Sequence, residues 1–267
     1  MLLTYILCLA LIQGVTEFLP VSSSAHLILP AQLLGWPDQG LAFDVAVHVG
    51  TLAAVLFYFR RDFALLIYGW LRQVRRGRPS YHGRLGWALL IGTLPAVLAG
   101  AFFNDFIETH LRSTLVIAAT TIFFGLVLGW ADWRRTEVRR TRDMTLKDVL
   151  VIGCAQAVAL IPGTSRSGIT ISAGLMLGLT RQSAARFSFY LSAPLILAAG
   201  LYKGVELYRH GSDAQWLTAG LGALLAALSA YACIHLFLTL LDRLGMTPFV
   251  IYRLILGAAL LGLYWWL

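Results

Sequence analysis

The sequence predicts an all-α polytopic membrane protein, with six transmembrane helices and two re-entrant helix–loop–helix hairpins arranged as an inverted repeat. Three observations predict this fold: the composition, the lengths of the apolar stretches and a motif that occurs twice. Of the 267 residues, 58% are hydrophobic and only 13% are charged, whereas soluble domains carry about 25% charged residues. Because one soluble core cannot bury so much apolar surface, lipid is the fitting solvent. Soluble enzymes, nucleic-acid binders and disordered chains fit poorly.

The transmembrane prediction comes from the lengths of the apolar stretches. A hydrocarbon layer of about 30 Å is crossed by roughly 20 helical residues. The stretches that meet this length lie near residues 42–59, 84–104, 114–132, 184–204, 215–241 and 247–267.

Two further apolar regions are interrupted by helix-breaking and polar residues. Residues 1–36 contain Glu17, Pro20 and a run of three serines, and residues 148–180 contain Pro162 followed by Gly-Thr-Ser-Arg-Ser. Each piece is too short to cross alone, and irregular backbone at membrane depth needs a cover of protein or water. The pattern therefore predicts two re-entrant hairpins. A signal peptide is the alternative for the first region, but no Lys or Arg precedes its apolar core and Glu17 lies inside that core.

The two hairpins belong to an internal repeat. QGVTEFLPVSSSAH, from Gln13, aligns with QAVALIPGTSRSGI, from Gln156, when one gap is allowed. This register pairs Pro20 with Pro162, and Ser22-Ser23 with Thr164-Ser165. Each half then has one hairpin and three spans, so the second half is inserted upside down, as in many transporters. We expect one membrane domain, with halves at about 1–132 and 148–267 joined by the loop 133–147, and hairpin tips that meet near the midplane.

The basic residues predict the orientation of the chain. Seven arginines lie between residues 60 and 84 and six basic residues lie in 133–147, whereas Arg112 is the single Lys or Arg in 105–113. The positive-inside rule then places the two basic loops in the cytoplasm. The net charge of +8 therefore predicts membrane lipids, and no nucleic acid, as partners. Small residues such as Gly222, Gly257 and Gly262 would permit close helix packing and leave a homodimer open.

The polar residues of the hairpins predict an anion-binding pocket. The half-helices start at the hairpin tips, and amides at a helix start bind phosphate or carboxylate groups. Glu17, His26 and Arg166 are costly in a bilayer, so a functional role is the first hypothesis for each. Three structural alternatives stay open: helix capping by the serines and threonine, a salt bridge between Glu17 and Arg166, and a hydrogen-bonded interior His26.

This set of groups suits a phosphate or a diphosphate, and an apolar surrounding implies that the other end of the ligand is a lipid. His26 could act as nucleophile or as acid/base catalyst, and Ser23 could be a nucleophile activated by His26. Glu17 could orient His26 or hold a divalent metal. Asp44, His48, His235 and Arg253 lie in or near spans without an assigned role. The predicted catalytic residues are Glu17, Ser23, His26 and Arg166, and the predicted phosphate-binding residues are Gln13, Ser22, Ser24, Thr164, Ser165, Ser167 and Thr170.

The strings EFLPVSSSAHL (Glu17–Leu27) and PGTSRSGITISAGL (Pro162–Leu175) resemble the two signature regions of bacterial undecaprenyl-diphosphate phosphatases of the bacitracin-resistance type. Glu17, Ser23 and His26 match the first signature, and Ser165, Arg166 and Thr170 match the second. Gln13 stands at a position that is Glu or Gln in that family, so a metal site here has one fewer charged ligand than in members with Glu.

The resemblance implies hydrolysis of undecaprenyl diphosphate to undecaprenyl phosphate and inorganic phosphate. This reaction recycles the carrier lipid for peptidoglycan synthesis and confers bacitracin resistance. It further implies a site at the outer, periplasmic face of the cytoplasmic (inner) membrane, with Mg²⁺ or Ca²⁺ as cofactor. The alternative is an inverted-repeat transporter or flippase for a polyprenyl phosphate, which the architecture favours. The residue chemistry favours the enzyme, because a binding protein has no use for a Ser–His–Glu set.

Overall fold

The structure is a computed structural model that describes residues 3–36, 40–210 and 213–266. Within these ranges all regular structure is helical, apart from one isolated β-bridge between Arg139 and Leu179. The prediction of an all-α protein is confirmed. The helices are α1 (Leu3–Phe18), α2 (Ser23–Leu34), α3 (Gly40–Tyr58), α4 (Arg60–Arg76), α5 (Tyr81–His110), α6 (Thr114–Arg134), α7 (Leu146–Val158), α8 (Arg166–Met176), α9 (Arg181–His210), α10 (Asp213–Leu244) and α11 (Thr247–Trp266), with a short 3-10 turn at Thr141–Asp143.

Five of the described helices, α5, α6, α9, α10 and α11, are long and apolar enough to cross a membrane. A sixth crossing is made if α3 and α4, which meet at a bend of 82°, are counted as one broken span. The polytopic membrane fold predicted from the apolar stretches is therefore confirmed. Leu267, the last residue of the sixth predicted span, lies outside the described residues.

The arginine-rich segment 60–84 is not simply a loop, because α4 fills most of it. Leu66 and Gly69 of α4 are buried, and Gly69 lies directly against the start of α5. The arginines of α4 are exposed. Since apolar and basic residues occupy different faces, the segment is an amphipathic helix, which a search for long apolar stretches passes over.

Both interrupted regions break where the sequence predicts, between α1 and α2 and between α7 and α8. Ser22 and Ser165, which directly precede α2 and α8, have positive φ angles of 74° and 69°. By backbone conformation, Ser22 therefore corresponds to Ser165. The sequence alignment instead pairs Ser165 with Ser23, one position later. The second turn is longer, running over residues 159–165 against 19–22, and Gly163 with φ of 89° absorbs part of the extra chain.

The helices of one half pack mainly on those of the other. The first hairpin helix α1 packs on α10, and its counterpart α7 packs on α5. Gly14 and Gly153 allow these close approaches: a Cβ atom on either would lie 2.6 Å from a backbone oxygen of the neighbouring helix. In the same way α3 packs on α10 and α9 packs on α5. Each hairpin is therefore held by a long helix of the opposite half.

Two of the three glycines noted for helix packing are used within the chain. A Cβ on Gly222 would collide with Phe43, and one on Gly257 would collide with Ile122. Only Gly262 of the three has open space around it. Gly222 and Gly257 therefore serve helix packing within one protomer, and the homodimer stays a prediction.

Candidate active site

The turns of the two hairpins contact each other directly. The Ser24 hydroxyl accepts a hydrogen bond from the Gly163 amide at 3.4 Å, and the Ser167 hydroxyl donates to the Leu19 carbonyl oxygen at 2.8 Å. Helices α2 and α8 both start at this junction. The predicted meeting of the two hairpin tips is therefore present in the structure.

Glu17 lies at the centre of the junction, near the C-terminal end of α1. Its Oε2 accepts hydrogen bonds from Gln13 Nε2 at 3.0 Å and from the Ser23 hydroxyl at 2.9 Å. Its Oε1 accepts from Arg166 Nη2 at 3.2 Å. Because the side chain is only 8% exposed, these donors take the place of water around the carboxylate.

Arg166, the first residue of α8, forms the salt bridge to Glu17 that the sequence left open as a structural alternative. Its Nη1 donates to the Ser188 carbonyl on α9 at 3.0 Å, and its guanidinium carbon lies 5.8 Å from the centre of the Phe18 ring. This geometry holds the guanidinium at the junction with its planar set of donors. The salt bridge is compatible with anion binding, because the same donors suit phosphate oxygens.

A cavity of about 350 Å³ opens between the two hairpins, α3 and α9. One part of its wall is polar and the rest is apolar, so it can hold a charged head and the first part of a lipid chain. The polar part is formed by Glu17, Ser22, Ser23, Ser24, Asp44, His48, Gln156, Ser165 and Arg166, and the apolar part by Val45, Ala159, Leu160, Leu195, Ile196, Ala199 and Gly200.

His26 does not line this cavity. Its Nδ1 lies 2.7 Å from the Ser22 carbonyl oxygen, and its Nε2 lies 2.5 Å from the Tyr252 hydroxyl on α11. Ser23, in contrast, reaches back to Glu17 on α1. The predicted activation of Ser23 by His26, and the predicted orientation of His26 by Glu17, are therefore wrong for this geometry. A catalytic role of His26 stays a prediction.

The histidine beside Glu17 is His48 of α3, whose role the sequence did not reveal. Its Nε2 lies 4.0 Å from Glu17 Oε2, and its Nδ1 lies 2.7 Å from the Asp44 carbonyl oxygen. Asp44 and His48 both lie in the cavity wall. The sequence contained one signal for this pair: they are four residues apart in an apolar stretch, which puts them on one helix face.

Four predicted phosphate-binding residues are almost fully buried and lie outside the cavity wall: Gln13, Thr164, Ser167 and Thr170. The Thr170 hydroxyl is 2.7 Å from the Ser188 hydroxyl and also donates to the Arg166 carbonyl oxygen. Ser167 donates a hydrogen bond to the Leu19 carbonyl oxygen of the first hairpin, and Gln13 donates one to Glu17. Gln13, Ser167 and Thr170 thus hold the site together, and the buried Thr164 hydroxyl has no partner among the described residues. Ser22, Ser24 and Ser165 line the cavity.

Arg253 of α11 is a second buried arginine at the junction, and it is fully buried. Its guanidinium donates to the carbonyl oxygens of Pro20 at 3.3 Å and Gly163 at 3.0 Å. It also donates to the Thr121 carbonyl of α6 at 3.1 Å. Both hairpin turns are thus joined through one side chain. From the sequence, Arg253 was recognised as a charged residue in or near a span, but its partners could not be predicted.

Comparison with known proteins assigns the chain to a family. A family model described as "Bacitracin resistance protein BacA" matches residues 6–259. The chain belongs to this family. The resemblance noted from the two signature strings is confirmed.

Relatives in the family are similar over nearly their whole length. The chain is 61% identical to a protein of Chromohalobacter salexigens named undecaprenyl-diphosphatase, over 96% of this chain and 97% of that protein. It is 60% identical to a protein of the same name from Teredinibacter turnerae, over 97% of this chain and 98% of that protein. A protein of Stutzerimonas stutzeri named undecaprenyl-diphosphatase 2 is 56% identical over 98% of both chains.

Proposed function

We propose that this chain is an integral membrane undecaprenyl-diphosphatase, which hydrolyses undecaprenyl diphosphate to undecaprenyl phosphate and inorganic phosphate. One observation carries the proposal: a single cavity combines the Glu17–Ser23–Arg166 cluster with an apolar wall. The relatives named undecaprenyl-diphosphatase support it, since they match almost the entire chain. The reaction recycles the carrier lipid for peptidoglycan synthesis and confers bacitracin resistance.

We propose that three side chains carry out the reaction steps. Arg166 holds the terminal phosphate and neutralises charge that develops on it. The Ser23 oxygen forms a bond to the terminal phosphorus, its proton passes to Glu17 Oε2, and the bond from that phosphorus to the bridging oxygen breaks. Glu17 returns this proton to the bridging oxygen, and undecaprenyl phosphate leaves. Water, with Glu17 as base, then hydrolyses the phosphoserine and releases inorganic phosphate. The Ser23–Glu17 hydrogen bond of 2.9 Å supports this assignment of nucleophile and base.

Phosphate release separates the enzyme from the transporter or flippase alternative. Purified protein in detergent, given undecaprenyl diphosphate, should release inorganic phosphate. A flippase would release no phosphate in this assay, because it moves lipid between two compartments and a detergent solution has none. Full-length, monodisperse protein that binds the lipid but releases no phosphate would reject the proposed function.

We propose that a divalent cation binds in the cavity together with the substrate. In the described part of the chain no three His, Cys, Asp or Glu side chains form a group that could hold a metal ion. The cavity wall does contain the carboxylates of Glu17 and Asp44, and Mg²⁺ commonly binds through one or two carboxylates plus substrate phosphates. We propose that these two residues hold Mg²⁺ or Ca²⁺, which supplies charge neutralisation when bound.

Chelation tests this proposal. EDTA should abolish phosphate release, and excess Mg²⁺ or Ca²⁺ should restore it. If the cation binds only together with the diphosphate, EDTA should leave the Tm of the substrate-free protein unchanged. Full activity in EDTA would show that the side chains alone neutralise the phosphates.

We also propose that the protein lies in the bacterial inner membrane as one inverted-repeat domain, with the site open to the periplasm. The exchange of packing partners between the two halves supports the inverted repeat, and the basic counts in 60–84 and 133–147 support the orientation. In cells, cysteine placed at residue 110 should be labelled from outside, and cysteine at 138 only from the cytoplasm. Labelling of both residues from the same side would end the inverted-repeat proposal.

A further inference from the structure

Gln156 of α7 is a buried polar residue that the reaction scheme leaves unused. It is fully buried, and it lies in the wall of the cavity together with Glu17 and Arg166. Within the described part of the chain, neither its Nε2 nor its Oε1 has a hydrogen-bond partner. Buried amide groups without a partner are rare, because water has been removed from them without replacement. The amide therefore calls for a partner that the chain itself does not supply.

Comparison with Gln13, its counterpart in the repeat, shows why Gln156 is unpaired. Gln13 is also fully buried, but its Nε2 donates to Glu17, four residues later on the same helix. Four residues after Gln156 stands Leu160, which also lies in the cavity wall. Leucine has no polar atom with which to satisfy the amide. Among the described residues both amides thus leave Oε1 without a partner, and the two hairpins differ in Nε2, which is paired in Gln13 and unpaired in Gln156.

We propose that Gln156 is a further substrate-contacting residue, whose Nε2 donates to a non-bridging oxygen of the diphosphate and whose Oε1 accepts from water in the same cavity. This inference rests on the proposed hydrolysis of a prenyl diphosphate. A diphosphate has more acceptor oxygens than one guanidinium can satisfy, so a neutral donor in the same wall adds contacts without adding charge. A site built to hydrogen-bond its ligand discriminates strongly when one partner is removed.

The test replaces the amide and measures both turnover and ligand binding. Gln156→Leu keeps much of the volume but removes the donor, and Gln156→Glu adds a charge that repels phosphate. The matched control is Gln73→Leu on α4, where a buried amide oxygen also lacks a partner but the residue lies outside the cavity wall. The readouts are kcat/KM for phosphate release from a C15 prenyl diphosphate, and the Tm shift caused by its non-hydrolysable methylene-diphosphonate analogue.

We expect Gln156→Leu to lower kcat/KM by about 10- to 100-fold, the range of a hydrogen bond to a charged group, and to shrink the Tm shift caused by the analogue. Gln156→Glu should lose more, and Gln73→Leu should match the wild type. If Gln156→Leu cannot be purified, Gln156→Asn decides by the same two readouts. Its side chain is one methylene shorter, so the amide is kept but no longer reaches the diphosphate.

Wild-type kcat/KM and an unchanged analogue shift in Gln156→Leu would overturn the inference, since the amide would then make no contact with the substrate. A variant with a lowered Tm but intact kcat/KM and analogue shift would overturn it as well, by showing a structural role. If the wild type releases no phosphate, the proposed function fails, and the analogue shift still reports whether Gln156 contacts a diphosphate.

Discussion

Arg166→Lys should lose most of the phosphatase activity, and Arg166→Ala nearly all of it, while both proteins stay folded. Lysine keeps the charge but loses the planar pair of donors that matches phosphate oxygens. A well-placed arginine is worth about 10³–10⁵ in the rate of phosphoryl transfer. We therefore expect a loss of at least about 10³-fold for the alanine variant. Turnover of undecaprenyl diphosphate and Tm in detergent, measured for both variants, check this.

Arg181 gives a matched control, because it pairs with Asp132 through two hydrogen bonds of 2.7 and 2.8 Å and lies outside the cavity wall. Arg181→Lys should lower the Tm and leave turnover of the folded protein near that of the wild type. If Arg166 were only a support for Glu17, Arg166→Lys would behave like this control. An active Lys variant, or an Ala variant too unstable to purify, would reject the catalytic role of Arg166.

Glu17→Gln should insert normally and lose nearly all hydrolysis. The substitution preserves size but removes the base that accepts the Ser23 hydrogen bond, and a general base contributes typically about 10²–10⁴-fold. Turnover with saturating substrate, measured beside the Tm, checks this. The Tm matters here because the neutral side chain leaves the Arg166 guanidinium without its carboxylate partner.

Gln13→Ala is the comparison for Glu17→Gln. Gln13 is connected to the chemistry through one hydrogen bond to the Glu17 carboxylate, and a hydrogen bond to a charged group contributes about 1.5–3 kcal/mol. The alanine variant should therefore lose about 10- to 100-fold in turnover, less than Glu17→Gln. Equal losses for the two variants would mean that the essential member of this pair has been misassigned.

The helices were predictable because a bilayer leaves the backbone few choices. In lipid each amide and carbonyl has to be paired internally, so an apolar stretch of sufficient length becomes a helix. Helix α4 was missed for the opposite reason. Its arginines interrupt the apolar character and resemble a loop, although its apolar residues Leu66 and Gly69 pack on α5.

The site was predictable only as far as the repeat could bring distant residues together. Glu17 and Arg166 are 149 positions apart, and no local spacing connects them, but the two related hairpins predicted that they meet. The partner of Ser23 was predicted wrongly, because His26 is closer in sequence than Glu17. The direction of the His26 ring depends on α11, and that of His48 on how α3 is rotated against α9 and α10. Such rotations are set by packing across the whole chain.

The two arginines at the junction differ in when they are made. Arg166 stands at the start of the second hairpin, whereas Arg253, which joins the turn carbonyls of Pro20 and Gly163, belongs to the last helix. During synthesis both hairpins therefore leave the ribosome before the Arg253 link between their turns is made. The two half-helices can enter the membrane separately, each beside its own neighbours. A chain that stops before α11 therefore carries both signature strings without the Arg253 contacts to their turns.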